Sequence, residues 1–118
     1  MNKRSVLIAI AVLSGALVLP GASCAQGYPG QPVRIVVPFP PGGGADILAR
    51  VIAQRLTESL RTQVLVDNRA GAGGMIGSEQ VARAAPDGYT LVFTTSSSHS
   101  INPHIGAKPR YDPLRDFT

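Results

Sequence analysis

The stretch VRIVVPFPPGGGAD, Val33–Asp46, determines the fold that we expect for this chain. Its first five residues are mostly β-branched and apolar, which is typical of a buried strand, and Pro38 ends that strand because proline has no N–H. The prolines that follow hold φ at about −65°, whereas three consecutive glycines let another molecule approach the main chain closely. The sequence therefore predicts a strand, a stiff loop and then uncovered main-chain amides.

The hydrophobic pattern changes its period directly after the glycines. From Ala45, apolar residues recur at helical spacing and predict a helix with an apolar face. These residues are Ile47, Leu48, Val51, Ile52, Leu56 and Leu60. A second strand is expected at Val64–Val66, a second helix at about Ile76–Ala85 and a third strand at Tyr89–Thr94, whereas prolines interrupt regular structure after Ile101. This β-α-β-α-β order predicts an α/β fold with parallel strands and right-handed crossovers.

The first 25 residues have the pattern of a secretory signal peptide. Lys3 and Arg4 precede the apolar run Val6–Leu19, and small residues follow at the positions that a signal peptidase requires. We expect export with cleavage after Ala25. A lipoprotein cut before Cys24 is the alternative.

Charge and cysteine content exclude some classes of partner. The sequence contains 11 Lys and Arg against 7 Asp and Glu, a net charge of +4. Two of these cations lie in the export segment, and the others are spread out without interleaved aromatic residues, so no nucleic acid is expected as a partner. The single cysteine also lies in the export segment, which leaves no disulfide option after cleavage.

Three polar loops follow the predicted strands. In open parallel sheets, ligands bind at the edge formed by the carboxyl ends of the strands, which is where these loops begin. Two loops, PPGGGAD and GAGGMIG, lead directly into helices. The first turn of a helix leaves N–H groups without partners and carries partial positive charge, which favours a carboxylate or phosphate. The hydroxyl groups of Ser96, Ser97 and Ser98 would add donors from the third loop. The pattern predicts an anion site built from uncharged donors.

Each of these features also has a purely structural interpretation. Glycine before a helix often only forms a tight turn, and Asp46 can be a first-turn carboxylate that the helix dipole favours. Serines are common in loops of any function. His99 and His104 have no carboxylate at triad or metal spacing, so we expect neither a catalytic residue nor a metal ligand.

Cofactor binding and catalysis are poorly supported by the motifs. The first glycine loop does not match G-x-G-x-x-G, because Ile47 occupies the third glycine position. Gly71, Gly73 and Gly77 give a looser variant, but the next strand does not end in the acidic residue that would hold a ribose. The chain also lacks a G-x-S-x-G elbow. We therefore expect no cofactor, and an α/β enzyme remains only an alternative.

Longer stretches resemble the Bug/TctC family, the extracytoplasmic substrate-binding receptors of tripartite tricarboxylate transporters. The resemblance covers nearly all of residues 26–118. Its motifs are PVRIVVPFPPGGGADILARVIAQRL, VLVDNRAGAGGMIGSEQVARAAPDGYTL and YDPLRDFT. There are two departures. Leu60-Arg61-Thr62 lacks the helix-ending glycine that is common in the family, and Met75 takes a place often filled by asparagine.

The resemblance implies a periplasmic-binding-protein-like fold of type II, with two lobes around a cleft. It implies a periplasmic receptor that binds a small carboxylate (a di- or tricarboxylate, an amino acid or an aromatic acid) and delivers it to membrane permease subunits. Residues 26–118 would form the N-terminal portion of the first lobe, with an incomplete sheet and without the second lobe. A truncated, inactive remnant is the alternative.

The resemblance also implies which residues contact the ligand, chiefly through main-chain groups of the first loop. The implied ligand-binding residues are Phe39, Pro40, Gly42, Gly43, Gly44, Ala45 and Asp46 in the first loop, Gly73, Gly74 and Met75 in the second, and Thr95, Ser96, Ser97 and Ser98 in the third.

Overall fold

The computed structural model describes residues 27–105 and 108–117, so the predicted signal peptide and its cleavage after Ala25 lie outside the described residues. The described part contains a three-stranded parallel sheet in which strand β1 (Val33–Val37) lies between β2 (Val64–Asn68) and β3 (Thr90–Val92). The elements in chain order are β1 (Val33–Val37), α1 (Gly44–Leu60), β2 (Val64–Asn68), a 3₁₀ turn (Ala72–Gly74), α2 (Met75–Ala82), β3 (Thr90–Val92), a π-helical turn (Ser97–Ile101) and α3 (Asn102–Ile105). The predicted parallel β-α-β-α-β arrangement is confirmed.

Strand β1 lies in the middle of the sheet and forms the centre of the core. Ile35 lies opposite Val66 on one side and Leu91 on the other. Val36 and Val37 are completely buried. A central parallel strand is covered on both faces, which is why its sequence is an almost continuous apolar run and not an alternating one.

Helix α1 packs on the sheet through small residues, which differs from the predicted apolar face. Ala49 and Ala53 are buried in the core cluster, and Leu56 and Leu60 pack against it. The other four members of the predicted face are exposed in the described structure. They are Ile47 (56% exposed), Leu48 (58%), Val51 (54%) and Ile52 (41%). Apolar residues occupy more than one side of this helix, and the alanine side can approach the sheet most closely.

The later elements differ from the predicted ones in length and type. Helix α2 ends at Ala82, and β3 comprises only Thr90–Val92. The chain after β3 forms a π-helical turn and then α3, where we expected irregular structure. In the π-helical turn the N–H of Asn102 donates to the carbonyl of Ser97, so the helical path widens immediately before a proline that lacks an N–H.

In the described ranges, none of the helices has the length and apolar character needed to span a membrane.

The end of α1 predicts a stabilising substitution. Arg61 caps the helix in the left-handed region, with φ 52° and ψ 32°, a conformation that costs a non-glycine residue about 1 kcal/mol. We expect Arg61→Gly to raise the free energy of unfolding by about 1 kcal/mol in urea denaturation. Gln54→Gly, at an exposed position inside the same helix, should lower it by about 1 kcal/mol. Equal effects of the two substitutions would contradict the conformational explanation.

Candidate functional site

The three loops at the carboxyl ends of the strands contact one another. A Cβ atom added to Gly74 in the second loop would lie 2.8 Å from Ser98 Cβ in the third loop and 3.5 Å from Phe39 Cζ in the first. Asn102 Nδ2 donates to the carbonyl of Gly73 over 2.9 Å, which connects the second and third loops again. The predicted polar loops therefore meet at one edge of the sheet.

A cavity of about 310 Å³ opens beside the first loop. The residues that line it are Phe39, Pro40, Gly43, Gly44, Ala45 and Thr95. Phe39, Pro40 and Gly43 come from the β1–α1 connection, Gly44 and Ala45 are the first residues of α1, and Thr95 lies in the loop after β3. The cavity thus lies between the first and third loops, at the N-terminus of α1.

The N-terminus of α1 leaves main-chain donors uncovered at this cavity. The first hydrogen bond of the helix is donated by Ile47 N to Gly43 O over 3.0 Å. The N–H groups of Gly43, Gly44 and Ala45 have no hydrogen-bond partner in the described part of the chain, whereas that of Gly42 donates to Asp46. Gly43 is extended, with φ −77° and ψ 166°, and no side chain caps the helix. Free amides and the positive end of the helix dipole can together attract an anion.

Asp46 is buried beneath the loop, where it accepts three hydrogen bonds. They come from the Gly42 amide at 2.8 Å, from Asn68 Nδ2 at 2.9 Å and from Arg50 Nε at 3.0 Å. The Arg50 hydrogen bond, followed by those of the Gly42 amide and Asn68, lowers the pKa of Asp46 from 3.8 to about 2. Asp46 is therefore an ionised carboxylate engaged by groups of the protein itself.

The predicted site residues of the first loop fall into two groups. Phe39, Pro40 and Gly43–Ala45 line the cavity, as the ligand-binding prediction requires. Gly42 and Asp46 bind each other, which occupies the Gly42 amide and the Asp46 carboxylate. Contact of any of these residues with a ligand stays a prediction.

In the second and third loops, few predicted residues reach the cavity. Thr95 lines it, whereas Ser96 and Ser97 are exposed and are not among its lining residues. Ser98 is completely buried, and its hydroxyl contacts Thr94 Oγ1 at 2.5 Å and Thr95 O at 3.1 Å. In the second loop, Gly73 and Gly74 contact neighbouring segments, and Met75 begins α2. None of these three residues is among those that line the cavity.

Two residues that build the site, Arg50 and Asn68, were not predicted from the sequence as site residues. Asn68 Nδ2 donates to Phe39 O over 3.2 Å and so joins the end of β2 to the first loop. Arg50 lies four residues after Asp46, a spacing that places both on one side of the helix and could have revealed the pair. No comparable signal exists for Asn68, because its position depends on the register that pairs it with Val37.

A parallel sheet with free helix amides beyond its strand ends has the architecture of an α/β ligand-binding protein. The family described as "Tripartite tricarboxylate transporter family receptor" (TctC) matches residues 48–118. The chain belongs to this family, as the resemblance of its motifs predicted.

Three similar proteins illustrate the match. BugT of Bordetella pertussis is 44% identical over 98 residues, which cover 83% of this chain and 30% of BugT. The periplasmic binding protein BugD has a TM-score of 0.71 and 43% identity, over 75% of this chain and 29% of BugD. MatC from Rhodopseudomonas palustris, solved with bound malate, has a TM-score of 0.74 and 37% identity, over 77% of this chain and 31% of MatC.

The comparisons confirm the periplasmic-binding-protein-like fold class. The chain spans about 30% of the length of BugT. The family and its solved members are solute-binding receptors and not enzymes, which confirms the expectation that the chain is not an enzyme.

The contact between the loops predicts a large effect of a small substitution. Gly74 has φ +94° and lies against Ser98, so Gly74→Ala adds both backbone strain and overpacking. We expect it to lower the free energy of unfolding by about 3 kcal/mol. Gly42 has a similar φ of +83° but open space at its Cβ position, so Gly42→Ala should cost only about 1 kcal/mol. Denaturation curves in urea measure both, and equal losses would show that the loops do not press on each other.

The lowered pKa of Asp46 predicts a pH dependence of stability. A carboxyl group with a depressed pKa stabilises the fold above its unfolded pKa of 3.8, and this contribution is lost as the pH falls toward about 2. The stability difference between the wild type and Asp46→Asn should therefore shrink over this pH range. Glu58→Gln, which removes an exposed partner of Arg55, serves as the control and should change stability little. Urea midpoints at several pH values measure the difference, and a constant difference for Asp46→Asn would contradict the prediction.

Proposed function

We propose that the chain is part of an extracytoplasmic receptor that binds a small carboxylate for a tripartite tricarboxylate-type transporter. The observation that carries this proposal is the cavity at the N-terminus of α1, which is lined by Gly44 and Ala45, residues whose amides have no hydrogen-bond partner in the described part of the chain. A carboxylate accepts several hydrogen bonds in one plane, and it is small enough to enter where glycine leaves the main chain bare.

The charge distribution supports an anionic ligand. Asp46 is the acidic residue nearest in sequence to the free amides, and its charge is balanced by Arg50 at 3.0 Å. The partial positive charge of the helix N-terminus then makes the electrostatic potential at the cavity positive. The apolar surface of Phe39 and Pro40 on the same cavity suits the carbon skeleton of an organic acid.

The family supports the transport role and the compartment. Its description names a receptor of tripartite tricarboxylate transporters, BugD is a periplasmic binding protein, and MatC holds malate. By this analogy, residues 1–25 direct export and are removed after Ala25. Residues 26–118 form the N-terminal portion of one lobe, the ligand lies in a cleft against a second lobe, and membrane permease subunits receive it.

The test of carboxylate binding removes one amide from the cavity. Gly44 is the first residue of α1, a position that tolerates proline, and the extended Gly43 suits a residue before proline. We expect Gly44→Pro to keep the fold but weaken malate binding about tenfold, because a charged ligand loses one hydrogen bond. Gly44→Ala keeps the N–H and meets open space at Cβ, so it is the matched control and should bind more tightly than Gly44→Pro.

Titration with malate is followed through the amide NMR signals of Gly43, Ala45 and Thr95. Malamide, which has the same skeleton without carboxylates, should shift none of these signals. Because one wall of the proposed cleft belongs to the second lobe, we expect binding to be weak, about millimolar. Equal affinity of the proline and alanine variants would overturn the assignment of the amides. If neither malate nor any other small di- or tricarboxylate, amino acid or aromatic acid binds, the proposed function fails.

A further inference from the structure

The base of the first loop contains a closed set of polar contacts that lies outside the cavity. Asp46 binds the Gly42 amide, Asn68 and Arg50, while Arg50 Nη2 donates to Asn68 Oδ1 over 3.2 Å. Asn68 also holds the carbonyl of Phe39. Neither Asp46, Arg50 nor Asn68 is among the residues that line the cavity. Any effect of these three side chains on a ligand must therefore pass through the loop or through their charge.

We propose that Asp46 and Arg50 are positioning residues of the carboxylate site: Asp46 fixes the loop so that the helix amides stay open, and Arg50 cancels the charge of Asp46 so that an anion can approach. This inference rests on the proposed function, but its first half concerns the loop alone.

The first half follows from which amide Asp46 occupies. Asp46 is the third residue of α1, and in the common capping box a side chain at this position binds the amide of the capping residue, here Gly43. Asp46 instead binds the amide of Gly42, one residue earlier. The Gly43 amide has no hydrogen-bond partner in the described ranges and so stays available, while the loop is held at Gly42, which has φ +83°.

The second half follows from charge. An uncompensated carboxylate in the first helical turn would repel a second carboxylate bound at the same turn. Arg50 Nε lies 3.0 Å from Asp46 Oδ2, and the Arg50 side chain is half exposed, whereas Asp46 is almost completely buried. Arg50 therefore neutralises Asp46 from the side of the solvent and occupies no space at the cavity.

The loop half is tested without any ligand, by amide hydrogen exchange of Gly42. We expect Asp46→Ala to accelerate exchange at Gly42 about tenfold or more, because the amide loses a charge-assisted hydrogen bond. Asp46→Asn retains an acceptor of the same shape and should accelerate exchange less, so it also serves if the alanine variant fails to fold. Unchanged exchange at Gly42 in the folded variants would overturn this half.

The charge half is tested by malate affinity in Arg50→Gln. We expect binding about tenfold weaker at low salt, with the loss reduced at high salt because screening weakens the repulsion. The double variant Asp46→Asn/Arg50→Gln removes both charges and should recover much of the affinity. A merely structural role of Arg50 would give neither the salt dependence nor the recovery. Undiminished affinity in Arg50→Gln, or no recovery in the double variant, would overturn this half.

The two measurements also separate this inference from the proposed function. If the wild type binds no carboxylate, the proposed function and the role of Arg50 fail together, while exchange at Gly42 still decides the role of Asp46. If the wild type binds malate but the variants behave alike, only the further inference fails.

Discussion

The pairing of β1 with a parallel neighbour on each side determines where the site lies. Val37, the last residue of β1, is in register with Asn68 at the end of β2, and Phe93 N donates to Val36 O over 2.9 Å at the end of β3. All three strands therefore end at nearly the same level, and their connections must leave at one edge. A shift of either register would move Asn68 or Thr95 away from the first loop and would separate the groups that surround the cavity.

The loops can approach each other because glycine occupies the points of contact. Gly74 lies against the third loop, and Gly77 lies against Pro38, where an added Cβ would be only 2.8 Å from Pro38 Cβ. The first glycine run has a different role, since Gly44 has open space around it and leaves its amide uncovered. One residue type thus serves packing in one loop and, in the proposed site, recognition in its neighbour.

Much of the fold could be predicted from local sequence, because a β-branched run, a proline stop and helical spacing are local signals. The buried side of α1 could not be predicted in this way. Ile47 and Ala49 are both apolar and either could belong to the buried face, and only packing against the sheet selects the side with the alanines. For the site, the first loop follows from its glycines and prolines. The burial of the Ser98 hydroxyl and the contact of Asn68 with the first loop depend on strand register and on the π-helical turn. No local sequence pattern encodes either of them.

The uncharged donors of the proposed site fit a receptor that must release what it binds. A main-chain hydrogen bond contributes about 0.5–1.5 kcal/mol, or somewhat more to a charged group, so a few amides give reversible binding. A lysine or arginine in the cavity would hold the anion more firmly and would discriminate less by shape. Here the nearby cation, Arg50, is already paired with Asp46, and the net charge of the pair is zero. The attraction left for an anion is that of the helix dipole, which acts over a short range and requires the ligand to reach the amides before it is held.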